Sequence, residues 1–415
     1  MALRVLIVPD KFKGTLTAPE AAAAIARGWS ESRPQDRLEL LPMSDGGEGF
    51  GELLGSRLGA ERRTCETTDA AGRPCRADWW AAPDARTAIF ETAQVNGLAR
   101  LPPGQYHPFQ LDTFGIGAVL RDVEQSGLRR LILGLGGSAT SDGGFGLARA
   151  LGWIFRDGAG TEIRSWTDLD RLSAAEPPPH PLGFAQMVIA VDVANPLLGP
   201  QGATRVYGPQ KGLRPEDLAQ AEGCLARLAE TLRPRLGPAA EQEPGVGAAG
   251  GLGYGLKAFA GGEFRPGAAI FAELAGLEEQ IRQADLVITG EGALDEQSRM
   301  GKGTGFVAEM AARAGKRCLC LAGRIASSFR DFPPDGVVGV SNNFAARAVV
   351  PDVATEAESC ARPAESLRRL AACVAAAQAD QAERPNGSAS RPCLQKPLDI
   401  GKARGPDQPR KPASS

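Results

Sequence analysis

At 415 residues the chain exceeds the ~250–300 at which one hydrophobic core stops growing, so two domains, or one with a large insertion, are expected. Hydrophobic residues at 43%, charged residues at 23% and 52 glycines exclude disorder throughout and a collagen-like fibre. Forty-seven basic against 49 acidic residues, a net charge of −2, exclude broad attraction to nucleic acid or an anionic membrane, so any anion must be bound locally.

Short β-branched or aliphatic runs at residues 4–8, 38–43, 87–91, 131–135, 187–192, 285–289, 317–322 and 337–340 predict strands, and the stretches between them have helical composition. The fold class is therefore α/β. Several runs are apolar throughout, which suits strands of a parallel sheet covered on both faces. Thr17 and Glu20 form a capping box, Pro19 is tolerated in a first turn, and a helix is predicted over residues 21–29. A second helix is predicted at 147–151 after a glycine-rich turn, and a third over 214–235 between the loop signals at 177–179 and 234–247. From Ala382 the chain turns to Pro, Ser, Gly and basic residues, so residues 382–415 are expected to form a disordered tail.

The eight cysteines include no C-x-x-C pair, and a chain this long needs no disulfide staples, so reduced thiols are expected. With only His107 and His180 available, His-rich zinc sites and most Ser-His-Asp schemes lose their key residue. Carboxylates and lysines must then carry the chemistry, which favours phosphoryl over acyl transfer. No apolar run reaches the ~18–20 residues of a membrane span and no leader-type segment precedes residue 4. A soluble, cytoplasmic protein is expected.

In open α/β sheets ligands bind beyond the carboxyl ends of the strands, where this sequence is unusually polar. After the first run stand Asp10, Lys11 and Lys13; after the second, Ser44-Asp45-Gly46-Gly47-Glu48-Gly49, where glycines admit a ligand to the backbone between two carboxylates. The stretch from Gly134 to Gly146 carries Gly136, Gly137, Ser138 and Asp142 between a strand and a helix, an arrangement of N–H groups and hydroxyls suited to phosphate. It matches neither G-x-x-x-x-G-K-[ST] nor G-x-G-x-x-G. Asp192 and Asn195 follow a further strand and can ligate Mg²⁺ or orient a hydroxyl. A second glycine loop runs from Gly247 to Gly253, and Glu291 and Asp295 close the series, with Lys302 a little beyond. Acid-and-glycine loops at successive strand ends converge on a site for phosphates and a divalent cation.

The stretches P-D-K-F-K-G-T-L-T-A from Pro9, S-D-G-G-E-G from Ser44, E-T-A-Q-V-N-G-L from Glu91, G-G-S-A-T-S-D-G-G from Gly136, D-V-A-N-P-L-L-G-P-Q-G-A from Asp192, G-P-Q-K-G from Gly208, G-A-A-G-G-L-G from Gly247 and T-G-E-G-A-L-D from Thr289 follow in the order of a known set of motifs. Through them the chain resembles the bacterial type-1 glycerate kinase family, from residue 1 to about 376. The resemblance implies ATP-dependent phosphorylation of D-glycerate to 2-phosphoglycerate with Mg²⁺. Formation of 3-phosphoglycerate, or sensing of a hydroxy acid or nucleotide without turnover, are the alternatives. It also implies a Rossmann-like, doubly wound parallel-sheet domain from residues 1–70 plus 265–376, with a second α/β domain, residues 71–264, inserted between and carrying the glycine-rich phosphate loop. Lys11 stands where many relatives carry Ser, and Ala293 where many carry Arg.

For phosphoryl transfer, Asp192 is assigned as base and Asp45 to the metal, each able to exchange roles, so both are metal-ligand candidates. Lys13 supplies countercharge, Asp10, Lys11, Asn195 and Ser138 contact substrate, and Gly136, Gly137, Asp142, Glu291 and Asp295 hold ATP. A cleft is expected, with Asp10, Lys13, Asp45, Glu291 and Asp295 on one wall and Ser138, Asp142, Asp192 and Asn195 on the other. No nucleic-acid or membrane partner is expected, and monomer and homodimer both stay open.

Overall fold

The first apolar run becomes β1 (Arg4–Pro9), in which every residue from Val5 onward is buried because helices cover both of its faces. The structure, a computed structural model, describes residues 2–82, 86–294, 303–325 and 356–382. Its further strands are β2 (Arg37–Leu40), β3 (Glu61–Thr68), β4 (Pro74–Ala82), β5 (Thr87–Glu91), β6 (Arg130–Gly134), β7 (Ile154–Asp157), β8 (Leu172–Glu176), β9 (Gln186–Ala190), β10 (Glu263–Arg265), β11 (Leu286–Leu294) and β12 (Arg317–Ile325).

A four-stranded, all-parallel sheet has the order β12-β11-β1-β2, with Val5 opposite Leu286 on one side and Leu38 on the other. On one face Val5, Ile7 and Ile288 pack with Ile25 and Trp29 of helix Ala18–Ser32 and with Leu367 and Ala371 of helix Pro363–Ala382. These two helices approach closely at Gly28, where a Cβ would overlap the Arg368 carbonyl. The capping box is present: Thr17 Oγ1 accepts from the Glu20 N–H and Glu20 accepts from the Thr17 N–H at 2.8 Å. On the other face Leu6, Val8 and Val287 meet Ile270, Phe271, Ile281 and Val307.

The second sheet has six strands in the order β10-β9-β6-β5-β4-β3. Its β10-β9-β6-β5 portion is parallel, while β4 and β3 are added antiparallel. One face is covered by a large aromatic and aliphatic core that includes Trp79, Phe90, Phe145, Phe155, Trp166, Leu225 and Tyr254. Its other face contributes Trp80, Ile89, Ile132 and Val188 to the same cluster that covers Leu6 and Val8 of the first sheet. One apolar layer is thus shared by both sheets.

The architecture is α/β, and the run at 87–91 is a strand with those bounds. The strands without a continuous apolar run, β3, β4, β7, β8 and β10, were not among those expected. β3 reads E-R-R-T-C-E-T-T and lies at a sheet edge with one of its eight residues buried, so nothing selects for apolar side chains there. It also pairs in the six-stranded sheet rather than with the chain-end strands, although the first segment was expected to run to residue 70. The run at 337–340, Asp295 and the tail beyond Ala382 lie outside the described residues. The seven cysteines within them are free thiols. Among the described residues no helix is long and apolar enough to cross a membrane.

Candidate active site

The loop that follows β2, residues 44–49, leaves its own sheet and lies across the carboxyl ends of the strands in the other. At Gly46, where φ is +98°, a Cβ would come within 2.8 Å of the Ala190 carbonyl at the end of β9. Just beyond β6, Gly136 lies so close to Gly47 that a Cβ would overlap the Gly47 Cα. Glycine is required at both points for backbone to meet backbone. From the end of β5, Glu91 Oε2 accepts from the N–H groups of Gly49 at 3.0 Å and Gly51 at 3.3 Å, where helix Phe50–Arg57 begins. Burial pushes the Glu91 carboxyl up to about 7, against the pull of those two N–H groups and of Lys11.

Above this crossing the loop after β1 brings charge. Asp10 is fixed by its own N–H, which donates to the Gly290 carbonyl of β11 at 2.8 Å, and by its Oδ1, which accepts from the Lys11 N–H at 2.7 Å. The first residue of helix Gly303–Arg313 faces the same carboxyl, since a Cβ on Gly303 would come within 2.9 Å of Oδ2. Burial, then the Asp45 and Glu291 carboxylates, push Asp10 up to about 8 despite the opposing effect of Lys11. The Lys11 ammonium reaches Gly47, where a Cβ would lie 2.7 Å from Nζ and 3.2 Å from Asp45 Oδ1. Asp10, Lys11, Asp45 and Glu291 are thereby gathered beside Gly136. Oxygen donors of this kind suit Mg²⁺, which uses one or two carboxylates and completes its shell from phosphate and water. Among the described residues no three His, Cys, Asp or Glu side chains are grouped to hold a metal by themselves.

The other expected residues divide. Asp192 presents Oδ1 to the Gly267 N–H and Oδ2 to the Ala268 N–H, both at 3.0 Å, so it caps helix Gly267–Ala275. That helix start lies directly against the Asp45 backbone, which puts Asp192 behind the loop. Asn195 is spent on its own surroundings, donating to the Gln201 carbonyl at 2.8 Å and accepting from the Tyr207 hydroxyl at 2.6 Å. Asp142, expected to touch ATP, is 0% exposed and accepts from the Thr113 N–H and hydroxyl and from the Gly144 and Gly146 N–H groups. Its carboxylate shapes the glycine turn and is enclosed by these donors. Lys13 is exposed on the short turn between Phe12 and Leu16. Gly137, with φ +73°, has open space around its α-carbon apart from Ala93.

Two residues were missed. Glu91 and Lys211 stand inside recognised stretches, E-T-A-Q-V-N-G-L and G-P-Q-K-G, but only the tertiary fold supplies their partners. Lys211, the last residue of helix Ala203–Lys211, is buried and donates from Nζ to Ser138 Oγ at 2.9 Å and to the Thr140 carbonyl at 2.6 Å. Surface cavities of about 430 Å³ and 460 Å³, lined in part by Arg73 and Arg100 and by Lys257 and Phe264, involve none of these loops.

Known proteins resemble this chain along most of its length. Residues 5–379 match the glycerate kinase family. A glycerate 2-kinase of Escherichia coli K12 is 36% identical over 331 residues, covering 78% of this chain and 86% of that protein. A glycerate kinase of Bacillus subtilis 168 is 34% identical over 377 residues, covering 90% and 97%. A crystal structure described as a candidate glycerate kinase 2 from Salmonella typhimurium LT2 superposes with a TM-score of 0.70 at 32% identity, covering 92% of this chain and 100% of that one.

Proposed function

The chain belongs to the glycerate kinase family, and from that premise we propose that it transfers the γ-phosphoryl group of ATP to the 2-hydroxyl of D-glycerate, releasing 2-phosphoglycerate. The observation that carries the reading is the meeting of Asp10, Lys11, Asp45 and Glu291 with the glycine turn at Gly136, through Gly47. Phosphoryl transfer asks for little covalent chemistry and much positioning of charge, and both are supplied at this crossing.

Residues 136–138 offer backbone N–H groups and the Ser138 hydroxyl to the phosphates of ATP. Lys11 gives countercharge to the group in transit, and the exposed Lys13 meets the carboxylate of the incoming hydroxy acid. Asp10 and Glu291 hold Mg²⁺, with Asp295 a further candidate beyond the described residues. When bound, the cation neutralises phosphate oxygens and orients them. The base assigned to Asp192 moves to Asp45, because both Asp192 oxygens already accept N–H groups whereas Asp45 Oδ1 accepts one, from Gly47 at 3.3 Å. Asp192 then acts on Asp45 by holding the helix behind it. We take the segments expected as domains to be the two units that meet around the substrates, with β3 moved to the inserted one, in a cytoplasmic monomer or homodimer.

The test is ADP release over a panel of small hydroxy acids, with the product identified by NMR. D-glycerate should be preferred and the phosphate should lie on its 2-oxygen. Phosphate on the 3-oxygen would overturn the regiochemistry, and absence of any glycerate-dependent ADP release would overturn the catalytic reading.

A further inference from the structure

Lys211 has a role that the reaction outlined above leaves unassigned. Three glycine-bearing motifs converge on its ammonium: it belongs to the stretch from Gly208, bonds Ser138 and Thr140 in the stretch from Gly136, and abuts Gly250, where a Cβ would lie 2.8 Å from Nζ. Among the described residues no carboxylate accepts a hydrogen bond from it. The charged group that acts on it is Asp142, buried in the same turn, and burial still lowers the amine to about 7. Past the end of its helix, His107, Asp217 and Arg214 are engaged with one another.

We infer that Lys211 is a positioning residue that sets the direction of the Ser138 hydroxyl proton, and so switches the phosphate-binding turn between a donating and a non-donating state. The inference rests on the kinase reading only in taking residues 136–138 as the phosphate cradle. The Thr140 carbonyl can only accept, so one Nζ–H is committed there in either charge state. An ammonium has no lone pair and must donate to Ser138 Oγ, which leaves the serine proton to point into the cradle toward an anion. A neutral amine has one lone pair, which can accept the Ser138 O–H and draw that proton away. An anion in the cradle therefore binds the protonated form, and its charge raises the proton affinity of the amine behind it. Binding then takes up a proton wherever free Lys211 is largely neutral. A lysine kept merely for packing would show no such linkage.

The experiment is titration calorimetry with the magnesium complex of a non-hydrolysable ATP analogue, in buffers of different ionisation enthalpy. At pH 8 the wild type should take up about one proton more than Lys211→Met, and its affinity relative to that of Lys211→Arg should fall about tenfold per pH unit above neutrality. Lys211→Arg, which keeps its charge, should lack this component and retain only the pH dependence that Asp10 and Glu91 impose on both proteins. Equal proton uptake by wild type and Lys211→Met, or equal slopes for wild type and Lys211→Arg should Lys211→Met not fold, would overturn the inference while leaving the kinase reading intact. Lys211-dependent uptake without glycerate-dependent ADP release would support the switch and sink the kinase. An analogue that fails to bind the wild type at all would overturn both.

Discussion

Replacing Glu91 by Gln should raise stability at alkaline pH, and the structure sets the size of the gain. A single oxygen, Oε2, accepts from both Gly49 and Gly51, so the amide oxygen of Gln in the same place keeps both bonds while the charge disappears. The charge is what burial opposes: Glu91 is 2% exposed and its carboxyl rises from 4.5 to about 7. Because the folded value is the higher one, the native state holds this proton more tightly than the unfolded chain. The group's contribution is complete below about pH 4.5 and is lost as pH climbs through about 7. At ~1.4 kcal/mol for each tenfold change in proton affinity, the loss comes to about 3 kcal/mol. Urea unfolding of wild type and Glu91→Gln across this pH range should therefore show the difference moving by about 3 kcal/mol in favour of Gln. Glu91→Ala, which removes the acceptor as well, should be less stable than Gln at every pH. A difference between wild type and Glu91→Gln that stays constant to within about 0.5 kcal/mol, the usual scatter for a surface substitution, would refute the reasoning.

Gly136→Ala forces a methyl into Gly47 Cα, backbone against backbone, and should cost about 1–3 kcal/mol in a thermal melt and abolish most glycerate-dependent ADP release. Asp192→Asn can offer an oxygen to only one of Gly267 and Ala268, so a loss of about 1–3 kcal/mol is expected, with kcat falling more than the KM for ATP as the Asp45 loop shifts. An unchanged melt would show that the cap does not hold the helix. A chain ending at Ala382 should keep the melting temperature and activity of the full chain. One ending at residue 355 should lose both, because it strips Leu367 and Ala371 from Ile25 and Trp29.

The sequence carried the inner parallel strands because burial on both faces demands apolar residues at every position, as in V-L-I-V of β1. It could not display β3, whose edge position tolerates charge, or β10, which is three residues long. The loops at the strand ends were legible as a group, and Asp10, Lys11, Asp45 and Glu291 do lie together. Individual carboxylates were not separable. After a strand, an aspartate caps a helix as readily as it meets a ligand, and the N–H groups that decide between the two lie 29 residues before Asp142 and 75 after Asp192. Lys211 gave no local sign of its role for the same reason: its partners are more than 70 residues upstream.

The apolar layer common to both sheets bears on how the chain comes apart. Ile132 and Val188 of one sheet and Leu6 and Val8 of the other lose their cover to the same water, since Phe50, Phe271 and Ile281 lie in the cluster with all four. Melting either sheet alone would leave the other with an exposed flank. The two should unfold together, in a single calorimetric transition whose van't Hoff and measured enthalpies agree. Motions of one sheet against the other are then confined to slides small enough to keep that layer dry, and the 44–49 loop, reaching from one sheet onto the strand ends of the other, is carried along with them.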